Sequence, residues 1–323
     1  MASIQKPLAT GWGPTATAED VAGGLNFSGK TVIVTGGASG LGLETSRALA
    51  KMGAAVIVPA RRPEEARTEL AGIPGVEVAE INLMDPASID GFAESLLASG
   101  QPLDRLILSA GVMATPLFRD AGGNEGQFAT NHLGHFRLTA RLWPALLASG
   151  NARVVVLSSR GHQISGLDLD DLAFVRRPYD KWLAYGQSKT ANALFAVALD
   201  ARGREHGIRA FSVHPGSILS PLARHLTSDE IDAFGAVDAD GAPVIDPARD
   251  MKNPAQGAAT TVWCATSPLL EDLGGLYCED SDIAALEEQD RRGVRPYAVD
   301  PAVAEKLWEE SVRLTGTDLQ WRA

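Results

Sequence analysis

Thr31-Val32-Ile33-Val34 is a short β-branched run that leads without a break into Thr35-Gly36-Gly37-Ala38-Ser39-Gly40-Leu41-Gly42. A helical pattern over residues 43–52 follows and is closed by Gly53. A strand, a glycine-rich turn and a helix in direct succession leave a chain few folds to choose from. Glycines at such a turn let the backbone approach a pyrophosphate, and the helix N-terminus adds free N–H donors and the positive end of its dipole. Gly36, Gly40 and Gly42 are therefore candidates for nucleotide binding, the alternative being an ordinary glycine-rich turn. Their spacing is Gly-x-x-x-Gly-x-Gly.

The same rhythm continues along the chain. Further strands are predicted at 55–59, 76–81, 103–108, 153–157 and 208–213, and helices at 63–71, 86–99, 128–147 and 185–206. The helix at 128–147 is apolar with a polar seam at Asn131 and His135. Strands alternating with helices at this spacing imply right-handed crossovers and a parallel sheet covered on both faces. The expectation is a single α/β domain over residues 29–280, a doubly wound parallel sheet of about seven strands with helices on both faces. An irregular lead-in, residues 1–28, precedes it, with room for one helical turn, and a C-terminal extension, residues 281–323, follows with one helix at 301–314. Residues 217–253 break the rhythm with many Asp, Pro, Gly and Ala, as a lid or binding segment does.

Composition narrows the function. The 323 residues are 45% hydrophobic, enough for one large core. A formal net charge of −11 argues against nucleic acid or an anionic membrane surface as partner. Cys264 and Cys278 show no metal-ligand spacing, and two cysteines suit a reducing compartment. The N-terminus lacks a basic-then-apolar order, and no apolar run approaches the ~20 residues of a membrane span. A cytoplasmic protein is expected.

Chemistry is carried first by Tyr185 and Lys189, four residues apart before a strongly helix-forming run. Positions i and i+4 share a helix face, about 6 Å apart along the axis. A cation about 5 Å from a phenol, at an effective dielectric of ~20, favours phenolate by roughly 3 kcal/mol, about two units from a pKa near 10. Tyr185 would then serve as an acid or base; the alternative is a surface Tyr and Lys sharing a helix by chance. Beyond the second strand stands Ala60-Arg61-Arg62, with no carboxylate before Glu64. An acidic residue there would hold a ribose 2′-hydroxyl, whereas a guanidinium matches a 2′-phosphate. NADP(H) is favoured over NAD(H), unless Arg61 and Arg62 are simply solvated. Ser158 and Ser159 end a buried strand, where a hydroxyl can meet a substrate carbonyl or merely satisfy a turn. His132 and His135 have a metal-ligand spacing but no third ligand, so no metal is expected. Trp182 and Tyr179 could line a substrate mouth or simply pack.

Taken together, Thr35 to Gly42, Ser109-Ala110-Gly111, Asn131-His132-Leu133-Gly134-His135-Phe136, Ser158-Ser159, Tyr185 to Lys189 and His214-Pro215-Gly216 resemble, in order, the short-chain dehydrogenase/reductase superfamily. The resemblance is to the non-extended branch, with a Rossmann-type fold, and is closest to retinol-dehydrogenase and WW-domain-oxidoreductase relatives. It implies that Tyr185 is the acid or base, that Lys189 binds the nicotinamide ribose and lowers the Tyr185 pKa, that Ser159 orients the substrate oxygen, and that Asn131 anchors a water linking Lys189 to solvent. It implies cofactor contacts from Gly36, Ser39, Gly40, Leu41, Gly42, Arg61, Arg62, Asn82, Leu83, Ser109, Ala110, Gly111, Tyr185, Lys189, Pro215, Gly216, Ile218 and Ser220. Three departures stand out: Ser109 replaces an Asn that ties neighbouring strands, Asn82 replaces an Asp near the adenine, and the span from Ser159 to Tyr185 is long.

The expected function is interconversion of an alcohol with a ketone or aldehyde by hydride transfer, on a medium-sized, partly apolar small molecule under a lid that includes Pro221, Leu222, Leu226, Ile231 and Phe234. The alternative is a cofactor-binding regulatory or scaffold protein of the same fold without turnover. Residues 190–199 are apolar on nearly every side, which calls for cover from beyond their own sheet and predicts a homodimer or homotetramer.

Overall fold

The computed structural model describes residues 4–320, so the first three residues of the predicted lead-in and the last three of the predicted tail lie outside it. The first half of the chain runs α1 (Ala18–Ala22), β1 (Thr31–Thr35), α2 (Gly40–Lys51), β2 (Ala55–Ala60), α3 (Pro63–Glu69), β3 (Val76–Glu80), α4 (Pro86–Ala98) and β4 (Arg105–Leu108). The second half runs α5 (Gly126–Phe128), α6 (Gly134–Ser149), β5 (Ala152–Leu157), α7 (Lys181–Gly203), β6 (Ile208–Val213), α8 (Ser228–Ala233), α9 (Pro254–Thr266), β7 (Leu276–Glu279), β8 (Asp282–Ile283) and α10 (Pro301–Thr315).

Successive side chains of a strand point to opposite faces, and in this sheet both faces are buried. Ile33 of β1 enters one core while Val32 and Val34 enter the other. Val154 and Val156 of β5 join Ile33, and Val155 joins the opposite side. One core is closed by α4, α6, α7 and α10 through Phe92, Phe136, Trp143, Phe195 and Trp308. The other is closed by α1, α2 and α9 through Val21, Leu49 and Trp263. The eight strands lie in the order β3-β2-β1-β4-β5-β6-β7-β8. Neighbours from β3 to β7 are parallel, and the two-residue β8 pairs antiparallel at the edge. The chain winds outward from β1 to β3, then returns to lay β4 on the other side of β1. That reversal opens a crevice beyond the carboxyl ends of β1 and β4.

Several boundaries differ from the sequence pattern for local reasons. The helix predicted from residue 185 begins at Lys181, because Asp180 caps it by accepting from the Trp182 and Leu183 backbone N–H groups, both at 2.8 Å. The helix predicted at 128–147 begins with α5 and is wound as a π turn over Ala129–Leu133 before α6. The lead-in holds α1, and Gln5 stitches it to β7 by donating to Tyr277 O and Ala284 O, both at 2.7 Å. Residues 217–253 carry only short helical pieces, with α8 the longest.

The argument for an oligomer rested on the apolar surface of α7, and the chain itself supplies that cover. α10 lies across α6 and α7, with the Trp308 ring centroid 4.8 Å from Phe136 and 6.0 Å from Phe195. Leu194 and Phe195 are thereby buried within one chain. A two-fold partner is not needed to satisfy this face.

Candidate active site

A cavity of about 1690 Å³ opens over the carboxyl ends of the sheet. Gly36, Ser39, Gly40, Leu41 and Gly42 line it from the β1–α2 turn, and Ser109, Ala110 and Gly111 from beyond β4. Arg61 and Arg62 line it after β2, Asn82 and Leu83 after β3, and Pro215, Gly216, Ile218 and Ser220 after β6. The predicted cofactor residues thus share one crevice. Their packing explains the glycines. A Cβ on Gly36, whose φ is +68°, would lie 2.9 Å from Ala110 Cα, and one on Gly42 would lie 2.2 Å from Gly36 O. The turn can fold down onto the sheet only without those side chains, leaving the N-terminus of α2 open to the crevice.

The strand tie that Ser109 seemed too short to make comes from the other side. Thr35 Oγ1 accepts from the Ser109 and Ala110 N–H groups at 2.9 and 3.1 Å, binding the end of β1 to the end of β4. Arg62 pairs with Glu65 at 2.8 Å on the surface. Arg61 is exposed, and no carboxylate pairs with it among the described residues. Asn82 Oδ1 accepts from Met84 N at 3.1 Å.

Ser159 follows β5 and caps the next turn, its Oγ accepting from Gly161 N at 3.0 Å. The same hydroxyl stands beside the phenol of Tyr185, in the second turn of α7, and acts to lower its pKa. Tyr185 and Lys189 are each only 5% exposed. Lys189 Nζ donates to Leu157 O at 2.9 Å and stands 5.7 Å from the Tyr185 ring centroid. Asn131 alone among the predicted site residues does not line the cavity. It stands behind Gly111, with Oδ1 accepting from Val112 N at 2.8 Å and Nδ2 donating to Val112 O and Ser188 Oγ at 2.9 and 3.0 Å. Both side-chain amide hydrogens are thus taken, and its backbone carbonyl meets His135 Nδ1 at 3.0 Å.

The expected depression of the Tyr185 pKa does not occur in this chain. Burial pushes the phenol up to about 12, and the hydrogen bond from Ser159 opposes only part of that. Burial also pushes Lys189 down to about 8. The sequence argument assumed a solvated pair, whereas both groups lie in low dielectric, where the cost of a charge outweighs its attraction at this distance. Tyr185 is therefore a protonated phenol at neutral pH.

Sequence reasoning passed over the residues that hold this geometry. A Cβ on Gly161 would lie 2.6 Å from Tyr185 Cε1, and one on Gly186 would lie 3.0 Å from Gly161 O. The loop after Ser159 rests on α7 through these two glycines, and the only signal was their place beside Ser159 and Tyr185. Arg160 N donates to His214 Nδ1 at 3.0 Å, and His214 Nε2 meets Asp250 Oδ2 at 3.0 Å. Burial works against the Asp250 charge, yet His214, Arg160 and Lys252 hold its carboxyl at about 2. This network ties the Ser159 loop to the base of the 217–253 segment. His214 belongs to the His214-Pro215-Gly216 motif, but its tie to Asp250 was not legible there, because Asp250 lies 36 residues further on.

Trp182 lines the cavity, 6.4 Å from the Tyr185 ring and 5.5 Å from Phe234. Tyr179 is a packing residue: its hydroxyl donates to Thr115 O at 2.9 Å and accepts from Gln127 Nε2 at 3.0 Å. His132 Nε2 meets Ser311 Oγ at 2.7 Å, and His135 Nε2 meets Thr35 Oγ1 at 2.9 Å. Among the described residues no group of three or more His, Cys, Asp or Glu side chains is arranged to hold a metal ion, and no helix is long and apolar enough to cross a membrane.

Comparison with known proteins bears on this arrangement. Residues 30–231 match the model of the short chain dehydrogenase family. The chain is 44% identical over 295 residues to a probable oxidoreductase of Streptomyces antibioticus, covering 88% of this chain and 97% of that one. It is 34% identical over 299 residues to the short-chain dehydrogenase/reductase prx1 of Penicillium roqueforti, covering 90% of this chain and 86% of that one. A crystal structure of an uncharacterized protein from Mycobacterium paratuberculosis matches with a TM-score of 0.72 at 33% identity, over 93% of this chain and 98% of that one.

Proposed function

The chain belongs to the short-chain dehydrogenase family, and from that premise we propose that it is a nicotinamide-dependent oxidoreductase that reduces a ketone or aldehyde to the alcohol, with NADP(H) preferred to NAD(H). The observation that carries the reading is the buried, protonated Tyr185 phenol, hydrogen-bonded to Ser159 at the floor of the crevice. The glycine turn over the N-terminus of α2 suits a pyrophosphate, and unpaired Arg61 suits a 2′-phosphate. The dinucleotide, when bound, supplies the hydride.

This chain's residues supply the rest. Tyr185 gives its proton to the substrate oxygen as charge develops there. Ser159, whose oxygen accepts from Gly161 N, turns its O–H from the phenol to the same substrate oxygen. Lys189, beside the phenol, offsets the phenolate that remains and reloads it from the direction of the Asn131 carbonyl. A Tyr held near 12 carries its proton at neutral pH, as the reduction direction requires. Pro221, Leu222, Leu226, Ile231 and Phe234 line the cavity above Tyr185, supporting the lid assignment for 217–253 and a partly apolar substrate.

A panel of carbonyl compounds with NADPH and with NADH tests this. We expect turnover, faster with NADPH, and for Tyr185→Phe a loss of about 10³-fold in kcat with NADPH binding nearly intact. Wild-type-like turnover in that variant would remove Tyr185 from the chemistry. Cofactor binding with no turnover across the panel would favour the scaffold alternative.

A further inference from the structure

The charge of the cavity is opposite to that of the molecule. The chain carries a formal net charge of −11. Away from the Arg61 end, six arginines line the cavity (Arg160, Arg224, Arg249, Arg291, Arg292 and Arg295) against two carboxylates, Asp250 and Asp290. Some of the six are committed. Arg160 is held by Glu279 at 3.1 Å and Asp250 at 3.6 Å, and Arg295 by the carbonyls of Glu287 and Asp290 at 3.1 and 2.9 Å. Arg224 belongs to the phosphate end, since it follows Ser220, whose Cβ is 3.6 Å from where a Cβ on Gly40 would sit.

Arg249, Arg291 and Arg292 remain. Among the described residues no carboxylate or carbonyl engages the Arg249 or Arg291 guanidinium. Arg292 Nη2 donates to Ala248 O at 3.2 Å, and its Nη1 makes a long ion pair with Asp280 at 3.7 Å, a carboxylate already held by Lys252 at 2.5 Å. Asp290 stands beside them, its carboxylate accepting from Arg292 N at 3.3 Å.

Hydrogen bonds and ring contacts place these three around the mouth above Tyr185. Gln163, four residues after Ser159, donates to Arg291 O and Gly293 O at 3.2 and 3.1 Å. Arg292 reaches across to Ala248, next to Arg249. A Cβ on Gly235 would be 3.9 Å from Arg249 Nη2. Phe234 adjoins Trp182 at 5.5 Å, and Trp182 adjoins Tyr185 at 6.4 Å. Three chain segments thus meet in a ring with an apolar wall on one side and guanidiniums on the other, of which Arg249 and Arg291 have no carboxylate partner among the described residues. Guanidiniums at the lip of a low-dielectric cleft focus the field inward and match a carboxylate or phosphate bidentately.

We propose that Arg249, Arg291 and Arg292 form an anion-binding rim, so that the substrate is an apolar carbonyl compound with a carboxylate or phosphate at the end remote from the reacting carbon. The orientation relative to Tyr185 rests on the function proposed above, but the rim itself does not, and binding without turnover separates the two.

The test is the affinity of the NADPH-loaded protein for decanoate, decyl phosphate and uncharged decanamide, read by calorimetry. The expected result is at least tenfold tighter binding of one or both anions than of decanamide, shrinking in 0.5 M salt. Arg249→Gln/Arg291→Gln/Arg292→Gln abolishes that difference while leaving decanamide affinity within about twofold, and Tyr185→Phe keeps it. The stronger of the two anions identifies the group. Equal binding of anions and amide by the wild type, or a preference that survives the triple substitution, overturns the rim. A preserved preference in a protein that turns over no carbonyl compound sinks the reductase reading alone.

Discussion

Lys189 shows how a single side chain is read differently in a sequence and in a fold. Its spacing from Tyr185 was visible, and so was the helix that carries both. What the spacing could not carry was solvent exclusion. With both groups buried, Lys189 is pushed down to about 8 and Tyr185 up to about 12. The lysine shift has a consequence for stability. Below about pH 8 the folded chain holds a buried cation, at a cost of about 3 kcal/mol for a shift of this size. Between pH 8 and the ordinary lysine value of 10.5 the unfolded chain binds the extra proton, so this group's contribution to stability rises with pH across that window. Lys189→Met should therefore stabilise the cofactor-free chain at pH 7 by about 1–3 kcal/mol, less so at pH 10, while removing turnover. The Leu157 carbonyl is not orphaned, because Asn192 Nδ2 also donates to it at 2.9 Å. Urea unfolding at the two pH values checks this, and a variant destabilised at pH 7 would contradict it.

Among the elements, α10 has the most consequence for what surrounds it. Its existence was legible from Pro301 and an amphipathic pattern, yet nothing in that pattern says which surface it covers. It takes the apolar side of α6 and α7, with Trp308 against Phe136 and Phe195 and under the Arg202 guanidinium at 4.1 Å. Removing so large a buried ring leaves a cavity in the core. Trp308→Ala should lower stability by about 3–5 kcal/mol. Trp308 does not line the crevice, so cofactor affinity of the folded fraction should be unchanged. Unfolding curves paired with an NADPH titration measure both, and a loss of affinity without a loss of stability would place α10 in a role other than cover. The 217–253 segment is the contrasting case: it was recognisable only as a break in rhythm. Its anchorage to Arg160 and His214 through Asp250 is a contact between loops far apart in the chain.

For the whole molecule, the covering of α7 removes the one argument for an assembly that the sequence offered. With Leu194 and Phe195 buried inside one chain, any homodimer or homotetramer seen by static light scattering at micromolar concentration should pair through a surface other than this face of α7. A dimer that persists on dilution would show that another surface is apolar enough to pair. The alternation of β-branched strands with helices, the glycine turn and the Tyr185–Lys189 pair were determined by the sequence, because they depend on periods of two and 3.6 residues and on side chains a few positions apart, while Ser159 was legible as the end of a buried strand. The tertiary structure alone decided which groups lose water, which helix covers which face, and which arginines gather at the mouth. Those properties arise where segments distant in the chain approach within a few ångströms, and no local pattern encodes that distance.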